Sequence, residues 1–259
     1  MFNCTNFNKL QYLEGRVVMI KYKLKIIDVI DEGNDSKTYL FEKPEDFSWE
    51  EGSHAHIGLS GFDQGEKPNK NWVRHMSIMT LPDEGKIGFT TRAKRNLSEF
   101  KTKLFSASIG DDVTFFKFGS RMSLMRSEKT IVLLSMGVGI ATMRPLIKAY
   151  LNDKSNIPKV ISLNIDSSSE FVYQNELDQL TDANYMNHWI KSRTNYYETL
   201  QQLAGSENAI YYIVGSDLFI QENIRCLKSA NVDKDSIVID KKEEMQSMFF
   251  DNDDLFAFI

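Results

Sequence analysis

The chain is poor in cysteine. Only Cys4 and Cys226 stand in 259 residues. Two thiols so far apart exclude a disulfide framework, a four-cysteine zinc site and a cysteine-ligated iron–sulfur cluster. The four histidines, His54, His56, His75 and His188, are dispersed along the chain and read as no metal site. Long apolar runs are missing too. The longest, around Ile131 to Met143, is too short to span a bilayer and is broken by glycines. The opening MFNCTNFNKLQ lacks the apolar centre of a secretory signal, so a cytoplasmic protein without membrane insertion is expected. There is no excess of positive charge. The formal net charge of −5 weighs against a nucleic-acid or anionic-membrane partner.

What is present is ordinary globular material, 42% hydrophobic and 26% charged. The length suits one large domain or two of roughly 100–150 residues each. Two halves with different periods favour two. From Tyr22 to about Phe118 the runs YKLKIIDVI, KTYLFEK, HAHIGLS, WVRHMSIM, KIGFTT and DVTFFKF alternate apolar and polar residues between turn residues. A single amphipathic helix interrupts them near Ser98 to Leu104. Six such strands and one helix predict an antiparallel β-barrel over 19–126.

After RSEKT (126–130) the pattern changes. Apolar runs IVLLSM, KVISLNI, NHWIKS, AIYYIVG and DSIVID alternate with helical stretches TMRPLIKAYL, EFVYQNELDQL, NYYETLQQLA and DLFIQENIRCLKSA. This predicts an α/β domain with a five-stranded parallel sheet over 127–240, whose ligands sit at the carboxyl ends of the strands. Residues 241–259 form a C-terminal tail. Residues 1–18 match neither pattern and read as a disordered arm, or as an over-extended reading frame whose true start is Met19.

Two segments suggest chemistry. The first strand of the second half runs into Gly137-Val138-Gly139-Ile140-Ala141-Thr142, followed by a helix with Pro145 in its first turn. Glycines let a backbone approach a pyrophosphate, and a helix start offers free N–H groups to the anion. Thr142 replaces the third glycine of the strict dinucleotide fingerprint, so a plain tight turn reads equally well. On the barrel, Arg74-His75-Met76-Ser77 sets an arginine near a hydroxyl on one strand. If buried, that arginine needs an anion; otherwise it is a surface charge.

Together these segments resemble the ferredoxin–NADP reductase superfamily over about residues 21 to 240. The matching pattern is Arg-x-aromatic-Ser, a Ser at a helix start, strand-Gly-x-Gly-Ile-Ala-x-x-Arg, and a late Gly-Ser turn. The resemblance implies a flavoenzyme that moves hydride from NADPH to FAD. In its terms Arg74 pairs with the FAD pyrophosphate, His75 and Met76 lie beside it, and Ser77 is the catalytic hydroxyl near flavin N5. Thr90, Thr91 and Arg92 contact the ribityl and adenine side, and Leu97-Ser98 open the helix over the pyrophosphate. Gly137, Val138, Gly139, Ile140, Ala141 and Thr142 form the dinucleotide loop, with Leu163-Asn164 through Glu176-Leu177 as the next strand and helix. Gly215, Ser216 and Asp217 close the nicotinamide side, and Asp240 ends the last strand.

The sequence departs from the family at Met76, where an aromatic packs on the flavin, and at Ser53, Thr142 and Val214. Coenzyme choice divides two places. Asp166 stands where an acidic residue binds the ribose hydroxyl of NAD. Ser192 and Arg193, with Tyr196 and Tyr197 just beyond, resemble the family's 2′-phosphate site, which favours NADPH over NADH. Phe249 and Phe250 are candidates to cover the flavin face, or else belong to a tail helix packed on the body. These 259 residues carry no iron–sulfur or globin pattern, so the expected partner is a soluble electron carrier, ferredoxin or flavodoxin, or a small-molecule acceptor. Two alternatives stay open: an NADH-linked flavin, ferric-complex or haem-protein reductase, and a non-catalytic flavin-binding subunit.

Overall fold

A computed structural model describes residues 10–13, 16–93, 96–168, 170–206 and 208–251. Within the segment expected as a disordered arm, β1 (Leu10–Leu13) and β2 (Arg16–Met19) pair antiparallel. The chain divides into two units between Ser123 and Leu124.

The first unit is an antiparallel sheet of six strands. They are β3 (Lys21–Asp31), β4 (Ser36–Glu42), β5 (Ser53–Leu59), β6 (Val73–Ser77), β7 (Lys86–Arg92) and β8 (Asp112–Ser120). Their order is β6-β5-β8-β3-β4-β7. Both ends of that order meet where Met79 N–H donates to Gly88 O at 2.9 Å, which curls the sheet into a barrel. A bulge between Ile26 and Asp28 lets β3 pair with β8 on one stretch and β4 on the next. Alternation sends Tyr39, Phe41, Ala55, Ile57, Phe89 and Phe115 inward. Helix α1 (Glu99–Phe105) plugs this interior with Phe100 and Leu104, both fully buried, and its Leu104 carbonyl accepts from Tyr39 Oη at 3.1 Å.

The second unit is a parallel sheet of β9 (Thr130–Met136), β10 (Val160–Ile165), β11 (Tyr185–Ile190), β12 (Ala209–Val214) and β13 (Ile237–Ile239), in the order β11-β10-β9-β12-β13. Ile131 to Leu134 are fully buried, as a central strand covered on both faces requires. The crossovers are α2 (Ile140–Asn152), α3 (Gln174–Asp178), α4 (Arg193–Ser206) and α5 (Asp217–Ser229); α6 (Glu243–Phe250) follows the last strand.

Two expectations are corrected in detail, and of the two readings of the tail the packed helix is the one found. The helix expected over 170–180 shrinks to α3, because Tyr173 takes a left-handed φ of 62° while Phe171, Val172 and Tyr173 bury their side chains. Helix α2 starts at Ile140, so Pro145 lies inside the helix rather than in its first turn. Phe249 and Phe250 are buried in the core of the second unit, against residues of α5 and the sheet, so α6 packs its apolar side on that body. Lys228 Nζ donates to the Phe250 carbonyl at 2.5 Å. Among the described residues no helix is long and apolar enough to cross a membrane.

Candidate functional site

In the second unit the strand order reverses at β9: its neighbours β10 and β12 lead to crossovers on opposite sides. A crevice at the carboxyl end of such a strand is where an open α/β sheet receives ligands. Gly137 to Gly139 occupy that point as one 3-10 turn leading directly into α2. Gly137 takes a φ of 55°, and a Cβ on Gly139 would stand 2.9 Å from the Val214 carbonyl oxygen at the end of β12. Both glycines are therefore demanded by the backbone. Asn164, at the end of β10, is 1% exposed and donates to Ser135 Oγ at 2.8 Å and to the Gly137 carbonyl at 3.2 Å. The expected loop residues Val138, Ile140, Ala141 and Thr142 sit in this turn and the first turn of α2, with Ile140, Ala141 and Thr142 buried.

The Gly215-Ser216-Asp217 turn lies at the same edge, after β12. Ser216 caps α5 by accepting from Phe219 N–H at 3.2 Å, and Asp217 pairs with Lys241 at 2.7 Å. Arg144 is spent on structure, forking onto the two Glu176 oxygens at 2.7 and 2.5 Å. Asp166 is buried and accepts from Ser168 N–H at 3.0 Å, so its carboxylate caps its own turn.

Arg193 opens α4 at that edge, with Ser192 Oγ accepting from Asn195 N–H at 3.3 Å. Sequence reasoning missed its partner. Glu222, on α5, accepts from the Arg193 guanidinium and, at 2.9 Å, from Tyr197 Oη. The hydrogen bond to Glu222 holds the Arg193 pKa above its usual value, while burial first and Glu222 second push the Tyr197 phenol up. Tyr196 is fully buried, donating to Asn223 Oδ1 at 2.7 Å, and is core rather than ligand surface. One signal was available. The buried faces of α4 and α5 meet at Tyr196 and Phe219, so positions one step off those faces, 193, 197 and 222, meet as well.

In the first unit, Arg74 lies on β6 with its guanidinium carbon 5.6 Å from the Phe100 ring centroid, beside the start of α1. Its Nη1 donates to the Val73 and Asn71 carbonyls at 2.7 and 3.3 Å, and among the described residues it forms no ion pair. The end of β7 reaches the same helix start: Lys101 Nζ donates to the Arg92 carbonyl, and Arg92 Nε to Ser36 Oγ at 3.0 Å. Ser98 caps α1, accepting from Lys101 N–H at 3.4 Å, while Leu97 stays exposed. Thr90 and Thr91 are buried on β7, and the Thr90 and Thr38 hydroxyls share a 2.6 Å hydrogen bond. A half-buried cation without a carboxylate, near other basic groups, fits an anionic group such as a pyrophosphate.

Pairing with β5 sets the faces of β6. Arg74 and Met76 oppose Ile57 and Ala55, so Met76 packs against the barrel core, whereas His75 and Ser77 oppose His56 and His54 on the other face. Arg74 and Ser77 thus leave the strand on opposite sides, with Ser77 at its last position. Three of the four histidines dispersed in sequence, His54, His56 and His75, come together in space, while His188 lies on β11 of the second unit. The His75 ring lies 4.2 Å from that of His54 and 5.8 Å from that of His56, and its Nε2 is 3.4 Å from Arg121 Nη1. Burial, then the charges of His75 and Arg121, lower the His54 pKa to about 3. Among the described residues no cluster of three or more His, Cys, Asp or Glu has the arrangement of a metal site.

No family model matches the chain, and no curated protein sequence matches it. Solved structures do. A ferredoxin NADP+ reductase from Neisseria gonorrhoeae with bound FAD and NADP superposes with a TM-score of 0.71 at 14% identity, over 85% of this chain and 98% of that one. The CS-b5R domains of human Ncb5or in the NAD+ form give 0.70 at 16% identity, over 88% and 71%. A Plasmodium falciparum ferredoxin-NADP+ reductase with 2′P-AMP gives 0.67 at 15%, over 85% and 95%. The antiparallel six-stranded unit followed by a five-stranded parallel sheet is thus a two-domain fold that this chain shares with these reductase structures.

Proposed function

We propose that the chain is a flavin-dependent reductase, binding FAD on the barrel unit and a nicotinamide dinucleotide at the carboxyl edge of the parallel sheet. The observation that carries this reading is the Gly137–Gly139 turn at the strand-order reversal, where one glycine is left-handed and the other is pressed against Val214. Solved structures of the same fold hold FAD with NADP, or NAD+.

When both are bound, the dinucleotide supplies a hydride that the flavin accepts. The chain's own residues bind and orient. Arg74 holds the pyrophosphate, with Ser98 and the start of α1 beside it, while Thr90, Thr91 and Arg92 take the ribityl and adenine side. His75 and Met76 would lie beside the flavin, and Ser77 would offer its hydroxyl to it. Arg74 and Ser77 leave β6 on opposite faces, with Ser77 at the last position of the strand. Gly215, Ser216 and Asp217 border the nicotinamide.

For the coenzyme, Glu222 alters the expectation. A free Arg193 suits the 2′-phosphate of NADPH, but here a carboxylate holds both Arg193 and Tyr197. A phosphate dianion entering beside Glu222 meets a like charge, whereas a ribose hydroxyl does not. The preferred coenzyme in this reading is NADH, the alternative to the NADPH that Ser192 and Arg193 suggest in sequence. Electrons leave to a separate acceptor, a soluble carrier such as ferredoxin or flavodoxin, or a small molecule.

The test is direct. The purified protein should be yellow, release FAD rather than FMN, and bleach on anaerobic NADH addition. Bound flavin that neither coenzyme reduces favours the non-catalytic flavin-binding subunit instead. Replacing Glu222 with Gln should raise kcat/KM for NADPH by about tenfold, a change of ~1.4 kcal/mol, with little change for NADH. A wild type that already prefers NADPH overturns the coenzyme assignment. A panel of ferredoxin, flavodoxin, free flavin, quinone and ferric complexes identifies the acceptor.

A further inference from the structure

We propose that Asn164 is a positioning residue for the nicotinamide dinucleotide: its amide fixes the glycine turn by holding the Gly137 carbonyl. The inference rests on the dinucleotide reading above and names a residue beyond the glycines themselves. Gly137 O is an acceptor only, so the amide NH2 must face it, which settles the orientation of the side chain. The same NH2 bonds Ser135 Oγ in the neighbouring strand β9. The amide oxygen is then left buried with no hydrogen-bond partner.

That orphaned oxygen is the informative feature. An interior position 1% exposed, among strand residues as apolar as Leu163 and Ile165, has no use for an amide that satisfies only half of itself. An aliphatic side chain of similar volume would remove that orphaned oxygen, but it would take the amide donor away from both the buried Ser135 hydroxyl and the Gly137 carbonyl. Of the two contacts, the one that reaches beyond the sheet strands is the anchor on Gly137. The Gly137 carbonyl also accepts from Ile140 N–H at the start of α2, so one oxygen is gripped from the helix and from β10 together. On the other side Gly139 rests against the Val214 carbonyl of β12. The turn is therefore braced from both strands that flank the reversal, and its left-handed first residue is set before any ligand arrives. A preformed turn spends none of the ligand's binding energy on ordering the loop.

The experiment uses the full chain with its flavin. Asn164→Asp keeps the shape but replaces the donor by an acceptor, and Asn164→Ala removes the donor without burying a carboxylate. The KM for NADH and the affinity for NAD+ by calorimetry should both weaken by about 5–20-fold in either variant that folds. The limiting rate of flavin reduction at saturating NADH should stay within about twofold, because the turn acts on binding alone. Ser135→Ala, which leaves the Gly137 contact intact, should shift KM by less than about twofold. Unchanged KM in the Asn164 variants, an equal rise in Ser135→Ala, or a fall in limiting rate at constant KM overturns the assignment. A wild type that binds NAD+ and NADH while the variants bind equally well removes Asn164 alone. A wild type that binds none of NAD+, NADH and NADPH removes the dinucleotide reading along with it.

Discussion

In the barrel unit the candidate site depends on which face of β6 each side chain takes, whereas in the sheet unit it depends on where the backbone turns. A one-residue change of register between β5 and β6 would exchange the surroundings of Arg74 and His75. No such exchange is open to the Gly137–Gly139 turn, whose two requirements, a positive φ and an approach to Val214, fall on particular peptide units. Sites made of backbone are thus written locally. Sites made of strand side chains are written in the pairing of distant segments.

The strongest challenge to that contrast is Gly52, where the barrel unit also depends on a turn. Its φ is 72°, and an added Cβ would lie 2.5 Å from the backbone carbon of Met122. Gly52→Ala should cost about 3 kcal/mol or more, read by urea denaturation. A loss below about 1 kcal/mol would show that this turn yields.

The histidine patch tests the dependence on pairing. His54 is neutral in the fold, with a pKa lowered to about 3 mainly by burial, but charges near 6.5 when unfolded. Its depressed pKa means that the unfolded chain binds the extra proton between about pH 3 and 6.5. Stability is therefore full above pH 6.5 and falls as pH drops, by about 2 kcal/mol at pH 5. His54→Phe should flatten this dependence in melts taken from pH 7 to 5. An unchanged slope would place the acid sensitivity elsewhere.

In the sheet unit, Gly139→Ala should cost about 1–3 kcal/mol, since its φ of −59° is ordinary and only the Val214 contact objects. Chemical denaturation checks it, and a neutral result would mean that the end of β12 gives way. The smallest effect is Tyr196→Phe, about 1 kcal/mol for a buried hydroxyl that leaves Asn223 Oδ1 without its donor. A Tm equal to that of the wild type would count against that bond.

Much of the architecture was legible because it rests on period. All six barrel strands and all five parallel strands fall on the runs that hydrophobic patterning marks, and α1 begins at its Ser98 cap. What stayed hidden involves partners far apart in the chain. Glu222 meets Arg193 across 29 positions, so an arginine expected to be available to a phosphate is already held by a carboxylate. His54 and His75 meet only through the β5–β6 register. Asp166 stands after β10 as expected, and the Ser168 N–H that its carboxylate accepts is a local contact that its sequence position does not announce. The shortening of α3 was hidden for another reason: Phe171 and Val172 satisfy a helical pattern as well as they fill the loop they occupy.

The place of β9 in its sheet has a consequence for how the chain is made. It is the first strand of its unit to be synthesised, and it ends in the middle, hydrogen-bonded to β10 on one edge and β12 on the other. The second of those neighbours leaves the ribosome about 80 residues later, several seconds at ordinary translation rates. Through that interval the run from Ile131 to Leu134 carries an open edge with no charge to guard it. The nascent protein is most exposed to misassociation there, in the strand that ends as the most thoroughly enclosed of all.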